Sequence, residues 1–225
     1  MGFRGSAVES PSQGIVRTHS LIRQTPVVGI AGSIGAGKST VAHLLASLGA
    51  GVFDSDRLGH EVLAEPEVVR RIVAWWGEGV CRDGVHVDRA RVAQEVFNSP
   101  DQLARLERLL YPRIAERRRR LMKAYEADRA VRAIVLDSPK LFEAGIDALC
   151  DAIIVVDAPR AMRLKRVRAQ RGWTSEDLAR REKQQIPFSQ KRARADYLIT
   201  NNSDLGGLRA SVGRVFHKII ASRAG

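Results

Sequence analysis

Gly32-Ser33-Ile34-Gly35-Ala36-Gly37-Lys38-Ser39-Thr40 sets glycines, a lysine and two hydroxyls in the pattern G-x-x-x-x-G-K-[ST]. Glycines at 32, 35 and 37 let the backbone curl until several N–H groups converge on phosphate oxygens. Lys38 then reaches the β- and γ-phosphates of a nucleoside triphosphate as a point charge, and the Ser39 hydroxyl offers a hard oxygen to a Mg²⁺ shared with the nucleotide. A second constellation follows at Asp54-Ser55-Asp56, where two carboxylates stand at i and i+2. Such a pair suits either of two tasks, holding Mg²⁺ or accepting a proton from an attacking hydroxyl. Asp137, closing the apolar run Ala133–Leu136, has the form of the second acidic element that phosphate-loop enzymes place around Mg²⁺.

These groups need elements to hold them. Val27–Ala31 is a short apolar run that predicts a strand, and Ser39–Leu48 carries Val41, Leu44, Leu45 and Leu48 at helical spacing, with Gly49 placed to end the helix. Strand, glycine loop and helix in that order are what a phosphate loop requires. A second strand, Ala50–Phe53, delivers the D-x-D at its carboxyl end, the edge where open α/β sheets bind ligands. Apolar runs at Ala133–Asp137, Ala152–Asp157 and Tyr197–Thr200 bring the strands to five. Strands apolar on both faces and separated by helices specify a parallel sheet covered on two sides. The predicted fold class is therefore α/β, a P-loop NTPase of three α/β/α layers. A last helix bearing Leu208, Val212, Val215, Phe216, Ile219 and Ile220 on one face packs onto the sheet.

Two segments depart from this alternation. Residues 57–132 are mostly helical: short helices at His60–Leu63 and Val68–Trp76, a turn at Cys81–Gly84, and a long helix opened by Ser99 as cap and Pro100. Its buried side is predicted to hold Leu103, Leu106, Leu109, Leu110, Ile114, Leu121, Met122 and Tyr125; Arg117–Arg120 form its solvated face, and Trp75 and Trp76 are packing residues. In residues 160–194, twelve basic residues stand against three acidic ones, which accounts for most of the chain's net charge of +12. A helix over Arg160–Arg171, a break at Gly172-Trp173-Thr174 and a second helix from Ser175 to Gln185 give a basic helical hairpin. Its placement suits a lid that closes over triphosphate and excludes water.

At 225 residues the chain accommodates one domain, 26–225, after an extension at 1–25 that reads as disordered and lacks the apolar stretch of a secretory signal. No apolar run reaches the ~20 residues of a membrane helix. The two cysteines, Cys81 and Cys150, are far apart and without metal-ligand neighbours, as expected of buried thiols in a reducing cytoplasm. The positive charge suits any polyanion, nucleic acid included, but aromatic residues make up 5% and do not alternate with basic ones as single-strand binders require. A nucleic-acid-stimulated ATPase and another small-molecule kinase are the competing readings.

The motifs together resemble the dephospho-coenzyme A kinase family. The resemblance spans about Val27 to Phe216 and rests on GSIGAGKST, LGAGVFDSDRLGHEVL, DGVHVDRARVAQEVFNSPDQLARLERLLYPRI, VLDSPKLFEAG, IIVVDAP and QIPFSQKRARADYLITN. It departs at Tyr111, where the family usually has His, at Ser138 and Lys140 around the loop proline, and at Gln170, where an Arg is common and Arg171 follows. The resemblance implies transfer of the γ-phosphoryl group of ATP to the ribose 3′-hydroxyl of dephospho-coenzyme A, with Mg²⁺ as cofactor. It implies Asp56 as general base, Lys38 and Arg166 as charge-stabilising groups, and Ser39, Asp54 and Asp137 around the metal. Residues 57–132 would hold the acceptor, with Asp54, Asp56, His60, Tyr111 and Glu143 as candidate contacts. No nucleic-acid or membrane partner is implied, and oligomeric state is left open.

Overall fold

The computed structural model describes residues 25–97, 99–202 and 204–222, so most of the extension predicted at 1–25 lies outside the described residues. The chain divides into two compact units, one reaching to Phe53 and resuming at Ala124, the other Asp54–Lys123.

Strands β1 (Val27–Gly32), β2 (Ala50–Asp54), β3 (Ala133–Asp137), β4 (Ala152–Asp157) and β5 (Tyr197–Thr200) form a five-stranded sheet in the order β2-β3-β1-β4-β5. β1 pairs in parallel with β3, Val28 opposite Val135, and with β4, Ile30 opposite Ile154. β4 pairs in parallel with β5. From β1 the chain goes first to β2 and β3 on one side and later to β4 and β5 on the other. Strand order therefore reverses at β1, and its carboxyl end is the point at which such sheets take ligands.

Period-two alternation decides the faces. Val28 and Ile30, Ala133 and Val135, and Ile154 and Val156 share a core cluster with α1 (Lys38–Ser47) and α9 (Leu205–Ala221). On the opposite face Gly29 is where Leu141 and Cys150 press on β1: a Cβ there would lie 2.8 Å from both Cys150 Sγ and a Leu141 methyl. The predicted end of α1 holds. Gly49, φ 94°, terminates α1, and the Asp204 carboxylate accepts from Gly207 N at 2.8 Å to open α9.

The smaller unit contains α2 (Ser55–Leu63), α3 (Pro66–Trp76), α4 (Arg89–Phe97) and most of α5 (Pro100–Ala127). Its core includes Val62, Val68, Ile72, Val92, Leu106 and Leu109. The predicted α5 start holds, with Ser99 Oγ accepting from Gln102 N at 3.3 Å. Leu103, expected on its buried side, is 40% exposed, because one turn ahead of Leu106 it falls past the edge of that cluster. Helix α2 begins at Ser55 rather than His60, since Asp54 Oδ1 accepts from Arg57 N at 3.0 Å and Asp56 places a negative charge in the first turn. Arg117, expected to be solvated, binds Glu61 at 3.0 Å and Glu65 at 2.8 Å, whereas Arg119 and Arg120 pair locally with Glu116. Trp75 and Trp76 pack edge to face at 5.7 Å, as expected of packing residues.

The basic segment folds as α6 (Arg160–Arg171), α7 (Ser175–Glu182) and α8 (Phe188–Ala193). Helix α7 starts on a Thr174–Asp177 capping box and stops at Glu182, short of the expected Gln185; α8, behind Pro187, was not foreseen. The stretch after Asp137 forms turns from Pro139 to Gly145 and then a short 3-10 helix, Ile146–Leu149.

Candidate active site

The loop after β1 owes its path to two close approaches. At Gly32, φ 151°, a Cβ would stand 2.1 Å from the Val156 carbonyl oxygen, so β4 tolerates no side chain there. At Gly37, φ 95°, it would stand 2.4 Å from Asn201 Nδ2. Gly37 is also the left-handed residue from which α1 springs, which puts Lys38, Ser39 and Thr40 in the first turn of the helix. The positive end of the helix dipole thus lies at the end of the loop, and Ser39 and Thr40 are exposed there.

The carbonyl side of the loop is tied to the protein residue by residue. The Gly32 carbonyl accepts from Lys191 Nζ at 3.3 Å, and Ser33 from Lys38 Nζ at 3.3 Å. The Ile34 carbonyl accepts from Arg163 at 3.2 Å and Gly35 from Arg166 at 3.2 Å. The Ala36 carbonyl takes both Arg166 at 3.2 Å and Asn201 Nδ2 at 2.8 Å. The Gly37 carbonyl receives Val41 N within α1 at 3.1 Å. Carbonyls held on one side of a curled backbone leave its amide side as the anion-binding concavity. At the loop entry Ser33 Oγ donates to Asp157 Oδ1 at 3.2 Å.

Half of these donor residues, Arg163, Arg166 and Lys191, come from the basic segment. Arg166, expected to touch nucleotide from a lid, binds three carbonyls, Gly35, Ala36 and, at 3.3 Å, Asn201. Arg163 also donates to Ala158 O at 3.0 Å and pairs with Glu182. Burial pushes the Lys191 ammonium down from its ordinary pKa, and the charges of Glu143 and Glu182 oppose that shift.

The remaining predicted residues separate between the units. Asp137 ends β3 opposite Ile30 of β1, on the carboxyl edge from which the loop departs. Glu143 accepts from Ile186 N at 3.0 Å. In the smaller unit Asp54, Asp56 and His60 are exposed on the first turns of α2. Tyr111, half exposed on α5, donates to Glu107 at 2.5 Å, and partial burial together with that carboxylate pushes its pKa up to about 12.

Lys191, Asn201 and Asp157 were not among the predicted site residues. Asn201 and Asp157 had a signal, both lying at or just past a strand's carboxyl end; Lys191 had none, since its partner Gly32 lies 159 residues away.

A parallel sheet whose first strand runs into a glycine loop at the reversal of strand order, with a helix springing from that loop, defines a P-loop enzyme. Residues 26–206 match the family model for dephospho-CoA kinase. A dephospho-CoA kinase of Deinococcus radiodurans is 38% identical over 195 residues, 85% of this chain and 91% of that protein. One of Rhizobium meliloti is 37% identical over 186 residues, 83% and 94% respectively. A crystal structure from Thermus thermophilus superposes with a TM-score of 0.73 at 32% identity, covering 86% of this chain and 97% of that one. The chain belongs to the dephospho-CoA kinase family.

Proposed function

We propose that this chain transfers the γ-phosphoryl group of ATP to the ribose 3′-hydroxyl of dephospho-coenzyme A, with the residues of the loop and the D-x-D in distinct roles. The observation that supports this most is the loop from Gly32 to Gly37, every carbonyl of which is held by a donor, in a chain of the dephospho-CoA kinase family. Positioning and charge stabilisation make up most of phosphoryl-transfer catalysis, and a pre-shaped loop supplies both.

In the proposed reaction the loop amides and the α1 N-terminus take the phosphate oxygens, and Lys38 offsets charge on the β- and γ-groups. Asp56 takes the proton of the acceptor hydroxyl as its oxygen bonds to the γ-phosphorus. The bond from that phosphorus to the bridging oxygen breaks, and ADP departs with the electron pair. Arg163, Arg166 and Asn201 act through the loop, fixing its carbonyls while its amides stay aligned. The exposed cations of residues 160–194 close over the triphosphate and exclude water. His60, Tyr111 and Glu143 are the proposed acceptor contacts, with Tyr111 protonated and able to donate at neutral pH.

The donor set fits Mg²⁺, a hard cation that takes one or two protein oxygens alongside phosphate and water. Ser39 is an exposed hydroxyl in the first turn of α1, and Asp137 is a carboxylate on the strand-end edge beside β1. These two would hold the ion, with Asp54 supporting through water; when bound it neutralises charge on the β- and γ-phosphate oxygens. Among the described residues no group of three or more His, Cys, Asp or Glu forms an all-protein cation cage, and this mode of binding needs none. Among the same residues no helix is long and apolar enough to cross a membrane, and Cys81 and Cys150 are buried thiols outside any disulfide, which suits a reducing compartment.

The test is initial-rate ADP formation with a panel of alcohols. Turnover with dephospho-coenzyme A well above that with shikimate, gluconate or nucleosides supports the reading. Turnover with one of those and none with dephospho-coenzyme A overturns it.

A further inference from the structure

Lys191 is 3% exposed, and an ammonium in such a place costs several kcal/mol unless it is paired and hydrogen-bonded. A methionine would fill the same volume without that cost. Its partners are specific. Nζ donates to Gln185 Oε1 at 2.6 Å and to the Gly32 carbonyl at 3.3 Å, while Glu143 and Glu182 provide the countercharge. Glu182 also pairs with Arg163, whose guanidinium holds the Ile34 carbonyl. Glu143 fixes the backbone at Ile186, one residue past Gln185. One ammonium therefore joins α7, α8 and the turns after β3 to the point where β1 becomes the loop.

That point is a single rigid peptide unit. Its carbonyl, on Gly32, faces Lys191; its N–H, on Ser33, donates to the Val156 carbonyl at 3.3 Å. Because a peptide unit is planar, holding both ends fixes its rotation about the chain. The next carbonyl, Ser33, accepts from both Lys38 Nζ and Ala36 N, so the orientation set at Gly32–Ser33 carries into the loop's own turn and to the lysine that meets phosphate. Without the ammonium the Gly32 carbonyl loses its charged donor, and the plane keeps only its weaker tether to β4.

We propose that Lys191 is a positioning residue of the phosphate loop, fixing the Gly32–Ser33 peptide plane through the Gly32 carbonyl so that the loop amides and Lys38 meet the nucleotide correctly. The inference rests on the reading of Gly32–Thr40 as the ATP loop and is independent of which alcohol accepts the phosphate.

Lys191→Met, Lys191→Gln and Lys191→Arg test it through ATP affinity by titration calorimetry, KM for each substrate and thermal unfolding. A hydrogen bond from a charged group corresponds to about 10–100-fold in affinity, and Lys191→Met and Lys191→Gln are expected to weaken ATP binding in that range. The KM for dephospho-coenzyme A should stay within about twofold, the unfolding temperature should fall because Gln185, the Gly32 carbonyl and the two glutamates lose their common partner, and Lys191→Arg should recover part of the ATP affinity. ATP binding within twofold of wild type in a folded Met or Gln variant overturns the proposal. Equal losses for both substrates, or failure of both variants to fold, also overturns it, because Lys191 would then be serving the fold. Wild-type protein that binds ATP yet leaves dephospho-coenzyme A unphosphorylated sinks the acceptor assignment alone.

Discussion

The Asn201 side chain donates to the Ala36 carbonyl at 2.8 Å, joining the end of β5 to the phosphate loop across 165 residues of sequence. The bond is buried, and the Asn201 backbone N–H is fixed on the Asp157 carbonyl at 2.7 Å, so the amide cannot follow a loop that moves. Asn201→Ala should cost about 1–3 kcal/mol of stability and weaken ATP by roughly tenfold. Denaturant midpoints and an ATP titration check both; an unchanged ATP affinity would detach Asn201 from the loop's shape.

Two glycines with positive φ should respond differently to a methyl group. Gly32→Ala meets the Val156 carbonyl oxygen at 2.1 Å, a backbone atom that can yield only if β4 moves, and loss of ATP binding is expected even where the protein folds. Gly77, φ 78°, has open space around it, so Gly77→Ala should cost only conformational strain of about 1–3 kcal/mol and leave ATP binding unchanged. The pair is read by thermal shift with and without ATP.

Asp56→Asn should leave ATP affinity close to wild type and reduce kcat by about 10²–10⁴-fold, the range of a general base. Single-turnover rates with dephospho-coenzyme A make the measurement, and wild-type turnover in this variant would remove Asp56 from the role.

The phosphate loop was legible because its requirements are local: small residues at set spacing, a strand before and a helix after. The sheet was legible for a similar reason, each strand being an apolar run whose end is marked by a polar residue. What holds the loop was not legible, because Lys191, Arg163 and Asn201 reach it only once β4 and β5 are seated beside β1. An excess of positive charge in residues 160–194 suggested a lid, yet three of its cations, Arg163, Arg166 and Lys191, spend their hydrogen bonds on loop carbonyls. Helix α8 leaves no sequence signal, since six residues behind a proline carry too little periodicity. The early start of α2 shows that the D-x-D has a second job, with Asp54 capping the helix that carries Asp56.

Acid should loosen the turn at residues 83–86. Hydrogen bonds from the backbone N–H and ring of His86, then from Val85 N, hold the Asp83 carboxyl down from 3.8 to about 2. A depressed carboxyl stabilises the fold above the unfolded pKa and loses that contribution as pH falls through the folded one. Asp83→Asn should therefore be less stable than wild type at pH 6, with the difference shrinking between about pH 4 and pH 2. A difference that persisted unchanged at pH 2 would assign it to something other than the charge.

Phosphoryl transfer to one hydroxyl is read from the position of the new phosphate in the product. After incubation with ATP, Mg²⁺ and dephospho-coenzyme A, the isolated product should show a phosphorus–proton NMR correlation to the ribose 3′ proton, with one ADP formed per product. A phosphate on any other oxygen, or ADP formed without a phosphorylated acceptor, would contradict the account.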